Sequence, residues 1–124
     1  MYHESMAALD VVLGDTHCLF KLGKHGAFLR ITGNWTGEKT AKLGGIISKA
    51  VNELKGSLLL SLEGCRSMDA QAVAMLLKLE EQLSTLGKSL ELVAVPNSLR
   101  ALFEGTRLVP NTEIATASAI LRVL

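Results

Sequence analysis

The run Ser57-Leu-Leu-Leu-Ser-Leu62 is apolar almost throughout, yet it is far too short to be a helix of ordinary length. A strand of that composition has no polar face to turn to water, so it belongs inside a sheet covered on both sides. After the polar stretch Glu63–Met68, Asp69 opens a segment in which Ala72, Leu76, Leu79, Leu83 and Leu86 recur at steps of four and three. That is the helical period, and Gly87 stands where such a helix stops. Leu90-Glu-Leu-Val-Ala-Val95 then returns to a strand pattern until Pro96 breaks it. A strand, a helix and a strand in that order imply parallel pairing through a right-handed crossover.

The rest of the chain extends this frame. Cys18–Leu22 and Ala27–Thr32 suit strands, and the glycine-flanked link Gly23-Lys-His-Gly26 predicts a hairpin between them. Thr36 is the expected N-cap of a first helix, with Glu38 complementing the dipole in its first turn. Leu43, Ile46, Ile47, Ala50, Val51 and Leu54 form its apolar stripe. Gly44 and Gly45 weaken that helix by roughly 1 kcal/mol each relative to alanine, and they permit another backbone to approach. Gly56 marks its expected end. Asn97 or Ser98 caps a short helix with Leu99, Leu102 and Phe103 inward, and Gly105 closes it. Residues 112–115 predict a last edge strand, and Ser118 a cap for a terminal turn carrying Ile120, Leu121, Val123 and Leu124. Residues 1–16 read as a loosely held lead-in and 17–124 as a single domain. The order β-β-α-β-α-β-α-(β)-(α) predicts an α/β fold, with a mixed, mostly parallel sheet of four to five strands and helices packed on it.

Composition excludes several functions. A chain of 124 residues supports one core, and 48% apolar against 4% aromatic residues means that aliphatic side chains fill it. Thirteen basic and twelve acidic residues leave a net charge of +1, so there is no footprint for a nucleic acid. No apolar run approaches the roughly 18 residues of a membrane span. Met1–Asp10 is polar, without the apolar core of a signal peptide, and two cysteines make no disulfide framework. The expectation is a cytoplasmic protein with both thiols reduced and no direct membrane insertion.

In open α/β sheets, functional loops gather at the carboxyl ends of strands. Here that directs attention to Glu63–Asp69, which carries Cys65, Arg66 and Ser67 ahead of a helix N-terminus. Asp69 is most simply an N-cap, and Cys65 a small unreactive residue. His3, His17 and His25 are spaced without a metal motif and read as surface residues, while Trp35 reads as a packing lid. No phosphate-binding loop, dinucleotide fingerprint or nucleophile elbow occurs. No catalytic residue, cofactor or metal ligand is expected, and a small-ligand role for the loop ranks last.

The stretch Leu58-Leu-Leu-Ser-Leu-Glu-Gly-Cys-Arg-Ser-Met-Asp69 resembles the middle of STAS domains, the anti-sigma-factor antagonist fold. Ala72–Leu83, Leu86–Val95 and Ser98-Leu-Arg-Ala-Leu-Phe103 continue the likeness, and Ile31-Thr-Gly-Asn34 fits the strand end before the first helix. The resemblance covers roughly residues 17–116. It implies a non-catalytic bacterial regulator that binds an anti-sigma factor or kinase-like protein. In such members a hydroxyl directly after the loop aspartate is phosphorylated, and the added charge blocks binding. Here that phosphoacceptor-equivalent position is Ala70, followed by Gln71 and Ala72, so the usual switch has no acceptor. Ser67 is the nearest substitute, and its simpler reading is a loop or capping serine. The resemblance also implies an alternative: an accessory subunit of an ABC-type lipid-transport complex, bound to its ATPase. Homodimerisation stays open. The expected partner-binding surface is Arg66, Ser67, Asp69, Ala70 and Gln71, with Met75 joining it between the inward positions of the long helix.

Overall fold

The structure, a computed structural model, describes residues 8–111, 113 and 117–124. Its spine is strand β3 (Gly26–Trp35), long enough to serve different neighbours along its length. On one side it pairs antiparallel with β2 (Thr16–Leu22), which pairs in turn with β1 (Ala8–Leu13). On the other side β3 pairs parallel with β4 (Ser57–Ser61), and beyond that with β5 (Cys65–Met68). Strand β6 (Leu90–Val93) lies parallel to β4. The order is β1-β2-β3-β4-β6, with β5 beside the end of β3.

Both crossovers are helical: α1 (Glu38–Val51) and α2 (Ala70–Thr85). They lie on the same face of the sheet. There Phe20, Leu29, Ile31, Leu58, Leu60 and Leu92 meet Leu43, Ile47 and Val51 of α1 and Leu76, Leu79 and Leu83 of α2. The opposite face of β4 carries Leu59, which joins Phe28 and Val93 under Ala119, Ile120 and Val123 of the terminal helix α3 (Ala117–Val123). The apolar run at Ser57–Leu62 is thus covered on both sides, as its composition demands. Helix α2 ends as its sequence anticipates: Gly87 takes a φ of 73°, and the N–H groups of Gly87 and Lys88 donate to the carbonyls of Ser84 and Leu83.

Several expectations need correction. The lead-in is not loose throughout, because Ala8–Leu13 pairs residue for residue with β2, from Leu13 opposite Thr16 to Ala8 opposite Lys21. Leu9, Val11 and Leu13 pack toward the core while Ala8, Asp10 and Val12 face outward, the alternation of a half-buried strand. The loop after β4 contains strand β5, so the sheet has six strands rather than four or five. Helix α1 is preceded by Gly37, not capped by Thr36, and it ends at Val51, ahead of Gly56. The N–H of Leu54 still turns back to the carbonyl of Val51, and its side chain is buried. Gly44 faces the thioether of Met75 rather than another backbone, and Gly45 is exposed. The segment after Pro96 is a 3₁₀ helix (Asn97–Phe103) that buries Leu99 and Phe103 but leaves Leu102 38% exposed. Ser118 lies inside α3 instead of capping it. Apart from Glu113, the expected strand at 112–115 lies outside the described residues.

Leu76 and Leu79 are 0% and 1% exposed on the sheet-facing side of α2. Leu76→Ala or Leu79→Ala should each lower the unfolding free energy by about 2–5 kcal/mol in urea titrations, the cost of a buried cavity. A loss below about 0.5 kcal/mol, the range of surface substitutions, would contradict this helix face.

Candidate functional site

The carboxyl ends of β3 and β5 bring the starts of α1 and α2 together, and Asp69 joins them. One carboxylate oxygen of Asp69 accepts from the N–H of Ala72, at 2.9 Å, capping α2. The other accepts from the N–H of Gly37 just ahead of α1, also at 2.9 Å. These two donors lower the pKa of Asp69, since they favour its charged form. The expected N-cap role is therefore met, and a second contact to the neighbouring helix is added.

Beside this clasp lies a polar network that sequence reasoning missed. Asp15, in the β1–β2 turn, accepts from Lys39 Nζ at 2.6 Å, from Asn34 Nδ2 at 2.5 Å and from Arg66 Nη2 at 3.3 Å. Hydrogen bonds from Lys39 and then Asn34 hold its carboxyl down to about 2. Asn34 Oδ1 accepts the hydroxyl of Ser67 at 2.7 Å, and the carbonyl of Asn34 accepts that of Thr16. Partners separated by 18 to 51 residues leave no local signal by which to find them.

Each expected site residue now has a place. Arg66 is exposed on β5 and leans on Asp15. Ser67 is partly buried, with its hydroxyl engaged by Asn34, which matches the loop-serine reading better than that of a free acceptor. Ala70 and Gln71 are exposed in the first turn of α2, and Met75 is partly buried one turn on. Gln71 and Met75 also line a groove of about 340 Å³ between α1 and α2, with Thr40, Ala41, Ala74 and Lys78. Arg66 and Ser67 lie outside that groove's lining.

Neither cysteine is set up as a nucleophile. Cys65 is 2% exposed and its pKa is raised, chiefly by burial, so the thiolate that would react is disfavoured. Burial pushes Cys18 up to about 12. His17 pairs with Asp10 at 2.5 Å on the outer face of the sheet, and His25 is exposed. Trp35 is fully buried in the core, more than the lid the sequence suggested. No helix of the described residues is long and apolar enough to cross a membrane.

A family model described as "Mlab, STAS domain" matches residues 18–109. The chain belongs to the STAS domain family. Fold and resemblance therefore agree, and STAS membership makes this a regulatory protein-interaction module. No curated protein matches the chain.

The depressed pKa of Asp15 has a definite consequence. The unfolded carboxyl titrates near 3.8 and the folded one near 2, so the unfolded chain binds more protons between those values. The network's contribution is complete above the upper value and lost as pH falls through the lower. Asp15→Asn should therefore flatten the fall in stability between about pH 5 and pH 2, read by thermal unfolding along that range. The same slope in both proteins would show that the network is too well solvated to matter.

Proposed function

We propose that this STAS domain is a phosphate-independent docking module, which binds its partner through the start of α2 and is not released by phosphorylation there. The observation that carries this is Ala70. It is the first residue of α2, exposed and without a hydroxyl, directly after an aspartate whose two oxygens are both engaged. The candidate substitute, Ser67, spends its hydroxyl on Asn34. The exposed helix start thus supports a docking role, while the lack of a hydroxyl at Ala70 supports its independence of phosphate.

The preferred partner is the ATPase subunit of an ABC-type lipid-transport complex. The matching family model carries the description Mlab, which favours this class over the anti-sigma antagonists. A stably assembled subunit also has no need of a phosphate to dissociate it. An anti-sigma factor or kinase-like protein is the second reading, favoured by the aspartate retained at the helix start. Function in either setting is cytoplasmic and non-catalytic.

Two measurements test this. Incubation with a kinase-type anti-sigma factor and ATP should leave the protein unmodified, whereas phosphate mapped between Cys65 and Val73 would overturn the proposal. Ala70→Glu should reduce partner affinity at least tenfold, about 1.4 kcal/mol. Its melting temperature should hold, because an acid is tolerated in a helix's first turn. Unchanged binding by a normally folded Ala70→Glu protein would move the interface elsewhere.

A further inference from the structure

The surface beside Ala70 has a shape that specifies more than its location. Helices α1 and α2 run side by side: Ser48 Oγ donates to Gln82 Oε1 at 3.1 Å, and Gln82 Nε2 donates to Asn52 Oδ1 at 3.2 Å. Toward their N-termini they enclose the groove that Thr40, Ala41, Gln71, Ala74, Met75 and Lys78 line. Beside the long side chains of Gln71 and Lys78, four exposed positions in or next to this groove are very small. Ala41 and Gly45 fall one turn apart on α1, and Ala70 and Ala74 one turn apart on α2. Exposed helix positions ordinarily carry long polar chains that hold a neighbour off. Small residues on two adjacent helices instead let a third helix settle between them near the short end of the usual 8–10 Å axial separation.

A second, independent feature points to an absent partner. Thr40 is 4% exposed, and its hydroxyl oxygen has no hydrogen-bond partner among the described residues. An unpaired buried hydroxyl is costly, and a groove-seated group would relieve that cost. The groove lining holds one charged residue, the exposed Lys78, which has no ion-pair partner among the described residues, and no acid.

We infer that the α1–α2 groove seats an acidic amphipathic helix of the partner, which lays small or apolar residues against Ala41 and Ala74, meets the Thr40 hydroxyl with a polar group and sets a carboxylate against Lys78. This rests on the docking reading above and specifies the chemistry of the element that docks.

The test uses the full chain and the purified ATPase subunit of the lipid-transport complex from the same organism, with affinity measured by titration calorimetry. Ala74→Leu fills the groove with a good helix former and should weaken binding at least tenfold. Lys78→Glu should weaken it by a similar factor and remove most of its salt dependence. Thr40→Val deletes the hydroxyl at nearly constant shape. It should weaken binding while leaving the free protein's melting temperature equal or higher, a combination that a merely structural threonine would not produce. Wild-type affinity in folded Ala74→Leu and Lys78→Glu proteins overturns the groove inference, and an Ala70→Glu defect in the same assay would leave the docking reading intact. An ATPase that fails to bind the unaltered protein overturns both.

Discussion

A single carboxylate sets the geometry on which the proposed docking surface depends. Two helices crossing the same face of the sheet's parallel part begin at the same edge, so both present unpaired N–H groups there. Asp69 accepts from one such group in each direction, Ala72 in its own helix and Gly37 ahead of the other. Neutral side chains could cap each helix separately, but one carboxylate shared between them also fixes their relative position. The partial positive charge at both N-termini favours the ionised form of that carboxylate. Position and protonation state are thus consequences of the same contacts. The two helix starts beside Ala70 and Gln71 are thus tied to one another by Asp69, and such preorganisation limits the ordering cost of binding.

The frame of the fold was legible because its signals are local. The run at Ser57–Leu62, the spacing of Leu76, Leu79 and Leu83, and the glycine at 87 each declare their structure within a few residues. What escaped was set by distant partners. Cys65–Met68 is polar enough to pass for a loop, and becomes a strand only because β3 extends past β4 and offers Asn34 and Trp35 as neighbours. Ala8–Leu13 alternates correctly, but its neighbour across the hairpin decides that it pairs. Of the site, the sequence placed Asp69, Ala70 and Gln71 correctly at the start of α2. It had no means to find Asp15 or Lys39, which reach the site from a turn and a helix far away in the chain.

Charge around the site is arranged in two zones with different consequences. In the first, Asp15 is surrounded by donors from Lys39, Asn34 and Arg66, so that corner of the molecule is already satisfied. Arg66 and Lys39 therefore have less to offer an incoming acidic group than their formal charge implies. In the second, Lys78 stands on the groove's rim without a counter-ion among the described residues. An exposed lysine of this kind contributes little to folding stability, but it can steer an oppositely charged partner and fix its orientation.

The groove itself traces back to one residue pair. A side chain at Gly44 would collide with the sulfur of Met75, so the glycine lets α1 and α2 pack closely around that thioether. The helix tolerates the weakening that an interior glycine brings because the core positions Leu43 and Ile47 on either side of it are fully buried. With the helices held together at Gly44 and Met75, and clasped at their starts by Asp69, the small residues Ala41 and Ala74 leave a groove open between Gln71 and Lys78. Met75 then has two neighbourhoods: its sulfur fills the gap left by Gly44, and the half-buried residue also lines the groove. An unbranched, polarisable side chain can adjust to an occupant without disturbing the contact beneath it. The glycine that weakens α1 therefore also shapes the surface proposed for a partner.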